Sequence, residues 1–142
     1  MAKRARGAEI KVPYYLGLIA AADGRPTEAM PLLDGALGTV RRTGERWFEA
    51  ELHRLRGEML ARTLPADHAR AEASYRKAIE VAQRQSAKWW ELRAAISLAR
   101  LWAQEGKRQN AYELLAPIYG WFTEGFDTAD LKDAKALLDE LA

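Results

Sequence analysis

His53 and His68 are the chain's two histidines, and the only side chains whose ordinary pKa suits proton transfer at neutral pH. Serine catalysis would need one of them within hydrogen-bond reach of a hydroxyl. Ser74, Ser86 and Ser97 have no histidine at the three- or four-residue spacing that brings side chains together on a helix. The carboxylates Glu49 and Glu51 stand two residues apart, which on a helix sends them to different faces. There is no cysteine, so thiolate chemistry, disulfides and thiolate metal sites are excluded, and two histidines do not make a zinc site. No catalytic, cofactor-binding or metal-binding residue is expected, and the chain does not read as an enzyme.

The chemistry left to it is recognition. The chain has 142 residues, 49% of them hydrophobic and 30% charged, enough to bury a core and too apolar for disorder. A formal net charge of only +2 gives little drive toward nucleic acid, which is not expected as a partner. Residues 1–11 form a basic N-terminal arm with Lys3, Arg4 and Arg6. No apolar run approaches the roughly 20 residues of a membrane span, and a cytoplasmic location without membrane contact is expected.

The elements follow from a repeat. Leu16-Gly17, Ala29, Leu33 and Ala36 recur as Arg56-Gly57, Ala71, Tyr75 and Ala78, and again as Leu98-Ala99, Ala111, Leu115 and Ile118. The steps from Gly17 to Gly57 and from Gly57 to Ala99 are 40 and 42 residues. A second match was not used to set that register: Arg46-Trp47-Phe48-Glu49 aligns with Lys88-Trp89-Trp90-Glu91. Apolar residues at helical spacing, punctuated by Asp23-Gly24-Arg25-Pro26, Pro65 and Glu105-Gly106-Lys107, divide residues 12–142 into helix pairs. The pairs span 12–44, 45–86 and 88–122, and a last helix over about 128–141, N-capped by Asp127, covers the open end. An all-α solenoid of three long helix hairpins with a C-terminal capping helix is predicted.

Within it, Trp47, Phe48, Leu52, Leu55, Met59 and Leu60 make the apolar face of a helix over Glu45 to Arg62, and one of each aromatic pair should pack at the junction between repeats. Glu72, Arg76, Glu80 and Arg84 read as a solvated ladder. Pro117 should kink or end a helix whose face runs from Ala111 to Trp121. Small residues such as Gly17, Gly57 and Ala99 should lie at helix contacts.

A small residue in the first helix, then Ala, a large apolar residue and Ala at fixed offsets resembles the tetratricopeptide repeat, whose usual period of about 34 residues is exceeded here. The segments Glu51–Glu58, Leu92–Ala95, Leu98–Trp102 and Tyr119–Thr128 are similar to the C-terminal repeat region of bacterial multidomain signalling proteins, in which an adenylate or guanylate cyclase or DNA-binding domain precedes an ATPase module. That likeness covers most of Arg46 to Ala142. The chain itself has no Gly-Lys-Ser or Gly-Lys-Thr phosphate loop. The resemblance implies a protein–protein interaction or scaffold module, regulatory in signalling.

It also implies where a partner binds. The concave first-helix positions of the family fall on Lys11, Tyr14, Leu18, Ala21 and Ala22, on Glu51, Arg54, Glu58, Ala61 and Arg62, and on Arg93, Ile96, Arg100, Ala103 and Gln104. Of these, Tyr14, Glu51, Arg54, Glu58, Arg62, Arg93, Arg100 and Gln104 are the expected contacts. Arginine prevails, and guanidinium forks match carboxylates, so an acidic protein or peptide partner is expected. Two alternatives are pairing with a second copy through Tyr14, Tyr15, Leu18 and Ile19, which no preceding helix covers, and a nucleic-acid-binding helical repeat that uses Lys3, Arg4 and Arg6 with exposed tryptophans.

Overall fold

The computed structural model describes residues 15–20, 22–44, 46–63 and 66–142. These are helical, with no strand among them. Helix α1 includes residues 15–20, and α2 (Pro26–Thr43), α3 (Glu49–Arg62), α4 (His68–Arg84), α5 (Lys88–Gln104), α6 (Arg108–Gly120) and α7 (Ala129–Leu141) follow. The basic arm over residues 1–11 and Tyr14 lie outside the described residues.

Short connections make consecutive helices antiparallel neighbours, and α2 through α7 each pack on the next. In addition α3 touches α5, and α5 touches α7. Helices α4 and α6 make no comparable contact. Helices α3, α5 and α7 therefore form one layer, and α2, α4 and α6 lie outside it. One core gathers Ile19, Leu33, Leu37, Val40, Leu52 and Met59 between α1, α2 and α3. A second runs from Leu60 and Tyr75 through Leu92, Leu98 and Leu115 to Leu131 and Leu141.

Local signals explain the boundaries. Gly24 and Gly106 take φ of 87° and 81° in two turns, the left-handed region that glycine enters without penalty. The Asp67 carboxylate accepts from the Arg70 N–H at 3.1 Å and caps α4. Helix α6 ends at Gly120, one turn after Pro117, whose ring removes an amide donor. Trp121, expected on the buried face of that helix, is consequently 57% exposed.

Other expectations are corrected. Helix α3 starts at Glu49, so Trp47 sits in the preceding turn and is 75% exposed, while Phe48 takes the inward position. Thr128, in extended geometry, holds the N-cap position of α7, because Asp127 lies one residue outside. His68 is the first residue of α4 and not part of the turn before it. Glu72 belongs only partly to the surface ladder: its carboxylate accepts from the Trp102 indole N–H at 2.9 Å and ties α4 to α5. Gly17 is exposed, with nothing within 4 Å of where a Cβ would stand, whereas Gly57 lies directly under the Tyr75 ring. Ile19, expected on an open edge, is core. No helix among the described residues is long and apolar enough to cross a membrane.

Candidate functional site

Helices α1, α3 and α5 turn one side toward a groove of about 590 Å³. Its floor is apolar, with Leu16, Ile19, Phe48, Leu55, Met59 and Trp90, and its charged walls are Asp23, Glu51, Arg54, Glu58, Arg62, Arg93 and Arg100. Phe48 and Trp90 meet with ring centroids 6.4 Å apart, so the inward members of both aromatic pairs close the α3–α5 junction. Six of the eight expected contact residues thus line one groove. Gln104 borders an adjoining depression that shares Glu58, Arg62 and Arg100, and Tyr14 is outside the described residues. Ile96 and Ala22, also expected on the concave side, are buried.

The charged residues divide into two sets. Arg54 is fixed: its guanidinium donates to both Glu51 oxygens, at 2.6 and 2.9 Å, and reaches Glu58 at 3.4 Å. Ser97 donates to the same Glu58 oxygen at 2.9 Å, and Arg93 pairs with Glu51 at 3.0 Å. Spacings of three and four on α3 place these partners on one face, which the sequence signals. Burial pulls the Arg54 guanidinium down, but the hydrogen bond and charge of Glu51, with Glu58 behind, hold it above the usual arginine value. Burial, then the charge of Glu58, push the Tyr75 hydroxyl far above the tyrosine range. Arg54 therefore keeps its charge and its bonds to Glu51 at neutral pH.

The rim is looser. The side chains of Arg62 and Arg100 are 46% and 53% exposed and, among the described residues, pair with the exposed Asp23 at 2.6 Å and Asp133 at 3.7 Å. Exposed pairs of this sort contribute about 0–1 kcal/mol. An incoming carboxylate can therefore displace them. Arg54, with a side chain only 14% exposed, holds the groove's shape.

The starts of α3 and α5 carry the aromatic blocks. Arg46 donates to Glu49 at 2.9 Å and Lys88 reaches Glu91 at 3.4 Å, the same i,i+3 pair at the start of α3 and α5. Both glutamates are buried at helix N-termini, where the helix dipole favours a negative charge. Gln83 adds a hydrogen bond to Glu91 at 3.1 Å. Trp89 packs on Phe122 with centroids 4.8 Å apart, and Lys88 lies over Trp121 at 5.3 Å.

The possible acid–base groups stay apart. His53 lies 3.8 Å from Glu49, and burial lowers its pKa while Glu49 opposes that shift. His68 is 3.3 Å from Glu105. Ser74 accepts from Arg56 at 3.4 Å, and Ser86 is exposed in a turn. Among the described residues no three histidine or acidic side chains gather to hold a metal ion. The chain matches no protein-family model, no curated protein and no solved structure.

Proposed function

We propose that this chain is a helical-repeat interaction module, three long tetratricopeptide-like hairpins capped by α7, that binds an acidic protein or peptide segment in the groove between α1, α3 and α5. The observation that carries this reading is the groove itself: residues chosen from first-helix positions of separate repeats converge on one apolar floor with arginines at its rim. The layer of α3, α5 and α7 and the matching Arg46–Glu49 and Lys88–Glu91 pairs support the repeat assignment. A partner would lay an apolar side chain against Phe48, Leu55 and Trp90 and present carboxylates to Arg62 and Arg100.

The scattered positions of His53, His68 and the serines favour binding over catalysis. The likeness of Arg46–Ala142 to signalling regulators extends the proposal to a regulatory or scaffolding role. A random peptide library selected on the purified chain tests it: the enriched sequences should carry Asp or Glu beside a large apolar residue. Arg62→Ala with Arg100→Ala should weaken a selected peptide about tenfold, as expected for two exposed ion pairs. A library without enrichment, or peptide affinity unchanged in the double variant, rejects the groove.

A further inference from the structure

We propose that Asp23 and Asp133 are built-in competitors for the groove's rim arginines, and that they make the groove reject acidic chains lacking an apolar anchor. This deepens, and rests on, the acidic-segment reading of the groove. The two carboxylates come from opposite flanks. Asp23 stands in the turn after α1, lines the groove itself and accepts from Arg62 at 2.6 Å. Asp133 stands on α7, which packs against α5, and lies 3.7 Å from Arg100. Asp130, three residues earlier on the same side of α7, meets Arg93 at 3.6 Å, so α7 turns an acidic side to the arginines of α5. Arg62 and Arg100 line both the groove and the polar depression beside it. A carboxylate entering at either place meets an arginine that already has one.

That arrangement sets a threshold. An incoming carboxylate gains only the difference between the pair it makes and the exposed pair it replaces. The penalty is the same for every acidic ligand that takes both arginines, and it is zero for a neutral one. Acidic chains therefore bind usefully only when Leu16, Phe48 and Leu55 add apolar burial, which the aspartates do not oppose. Selectivity of this kind comes from a contact that works against the wrong partner.

Fluorescence anisotropy of the full chain with three labelled peptides tests the proposal: a run of glutamates, the same run headed by leucines, and leucines followed by glutamines. The wild type should bind the leucine–glutamate peptide about tenfold or more tighter than the glutamate run. Asp23→Asn with Asp133→Asn should tighten both acidic peptides about fivefold, as for two exposed pairs, and leave the leucine–glutamine peptide unchanged. Asp34→Asn with Asp139→Asn is the control. It removes the same charge from exposed aspartates paired with Arg56 and Lys135, none of which lines the groove, and should leave all three affinities within about twofold. Equal tightening in the two double variants, unchanged acidic affinity in the first, or a glutamate run that binds the wild type as tightly as the leucine–glutamate peptide overturns the competitor role and leaves the groove standing. A leucine–glutamate peptide that fails to bind ~100 μM wild-type chain overturns both.

Discussion

Gly17 and Gly57 hold one register in the first and second helix pairs, yet their surroundings are opposite. A Cβ at Gly57 would stand 2.5 and 2.7 Å from carbons of the Tyr75 ring, while one at Gly17 meets nothing within 4 Å. The partner residue decides this. In the second pair an aromatic ring on α4 fills the contact, and the first pair has Leu33 at that place. The second pair is also more elaborately tied: it has the Arg54 network, the Asp67 cap and the Trp102–Glu72 bond. Helix α2 starts after Arg25 without a side-chain cap and contains Pro31, Gly35 and Gly38. One repeat pattern thus supports a tightly specified unit and a plainer one.

The largest expected effect lies in the arginine network. Arg54→Ala should destabilise the fold by about 3 kcal/mol, because removing one partner of a buried pair leaves the other charge uncompensated. Arg62→Ala, at the exposed rim beside the first pair, should cost less than about 1 kcal/mol. Urea unfolding followed by circular dichroism measures both. Equal losses would mean that Arg54 is no more structural than the rim.

Next comes the glycine pair itself. Gly57→Ala must shift the Tyr75 ring, an overpacking cost of about 2 kcal/mol. Gly17→Ala should stabilise by up to about 1 kcal/mol, since an exposed helical alanine is favoured over glycine. A double variant Gly57→Ala with Tyr75→Leu should recover part of the loss, as expected for residues in direct contact. Opposite signs at the two glycines sharpen the contrast between the pairs, and equal signs would abolish it.

How far the sequence was legible tracks the range of each interaction. Helix faces such as Ala29, Leu33 and Ala36 follow from the helical period alone, and all three are fully buried. The Glu51–Arg54–Glu58 face was equally readable from spacings of three and four. What escaped depends on how one helix is rotated against another. Nothing within α4 signals that Glu72 accepts from Trp102, and nothing within α3 says that its first turn begins after Trp47. The groove residues follow from the resemblance to tetratricopeptide repeats and not from spacing. Spacing alone did not show which arginines would be locked and which exposed.

A smaller test concerns the Asp67 cap. Asp67→Ala should cost about 1 kcal/mol, the usual value of a lost N-cap hydrogen bond. Arg25 has no such bond to lose at α2, so Arg25→Ser should match or exceed the wild type in melting temperature. A loss at Arg25 equal to that at Asp67 would show that the first pair relies on its helix start as much as the second does.

The smallest effect separates the turns. Gly24, between α1 and α2, and Ser86, between α4 and α5, both have positive φ, at 87° and 53°. A non-glycine residue in that region carries a penalty of about 1–2 kcal/mol, which Ser86→Gly relieves. The replacement also loosens the unfolded chain, a cost of about 0.4–1 kcal/mol. The difference predicts a net gain of about 0.5 kcal/mol, and Ser86 is exposed, so no packing term intrudes. Gly24→Ala should show the reverse sign, since alanine there meets strain and nothing within 4 Å to pack against. A destabilised Ser86→Gly would mean that the unfolded-state term outweighs the strain, and that the second pair tolerates its turn at no cost.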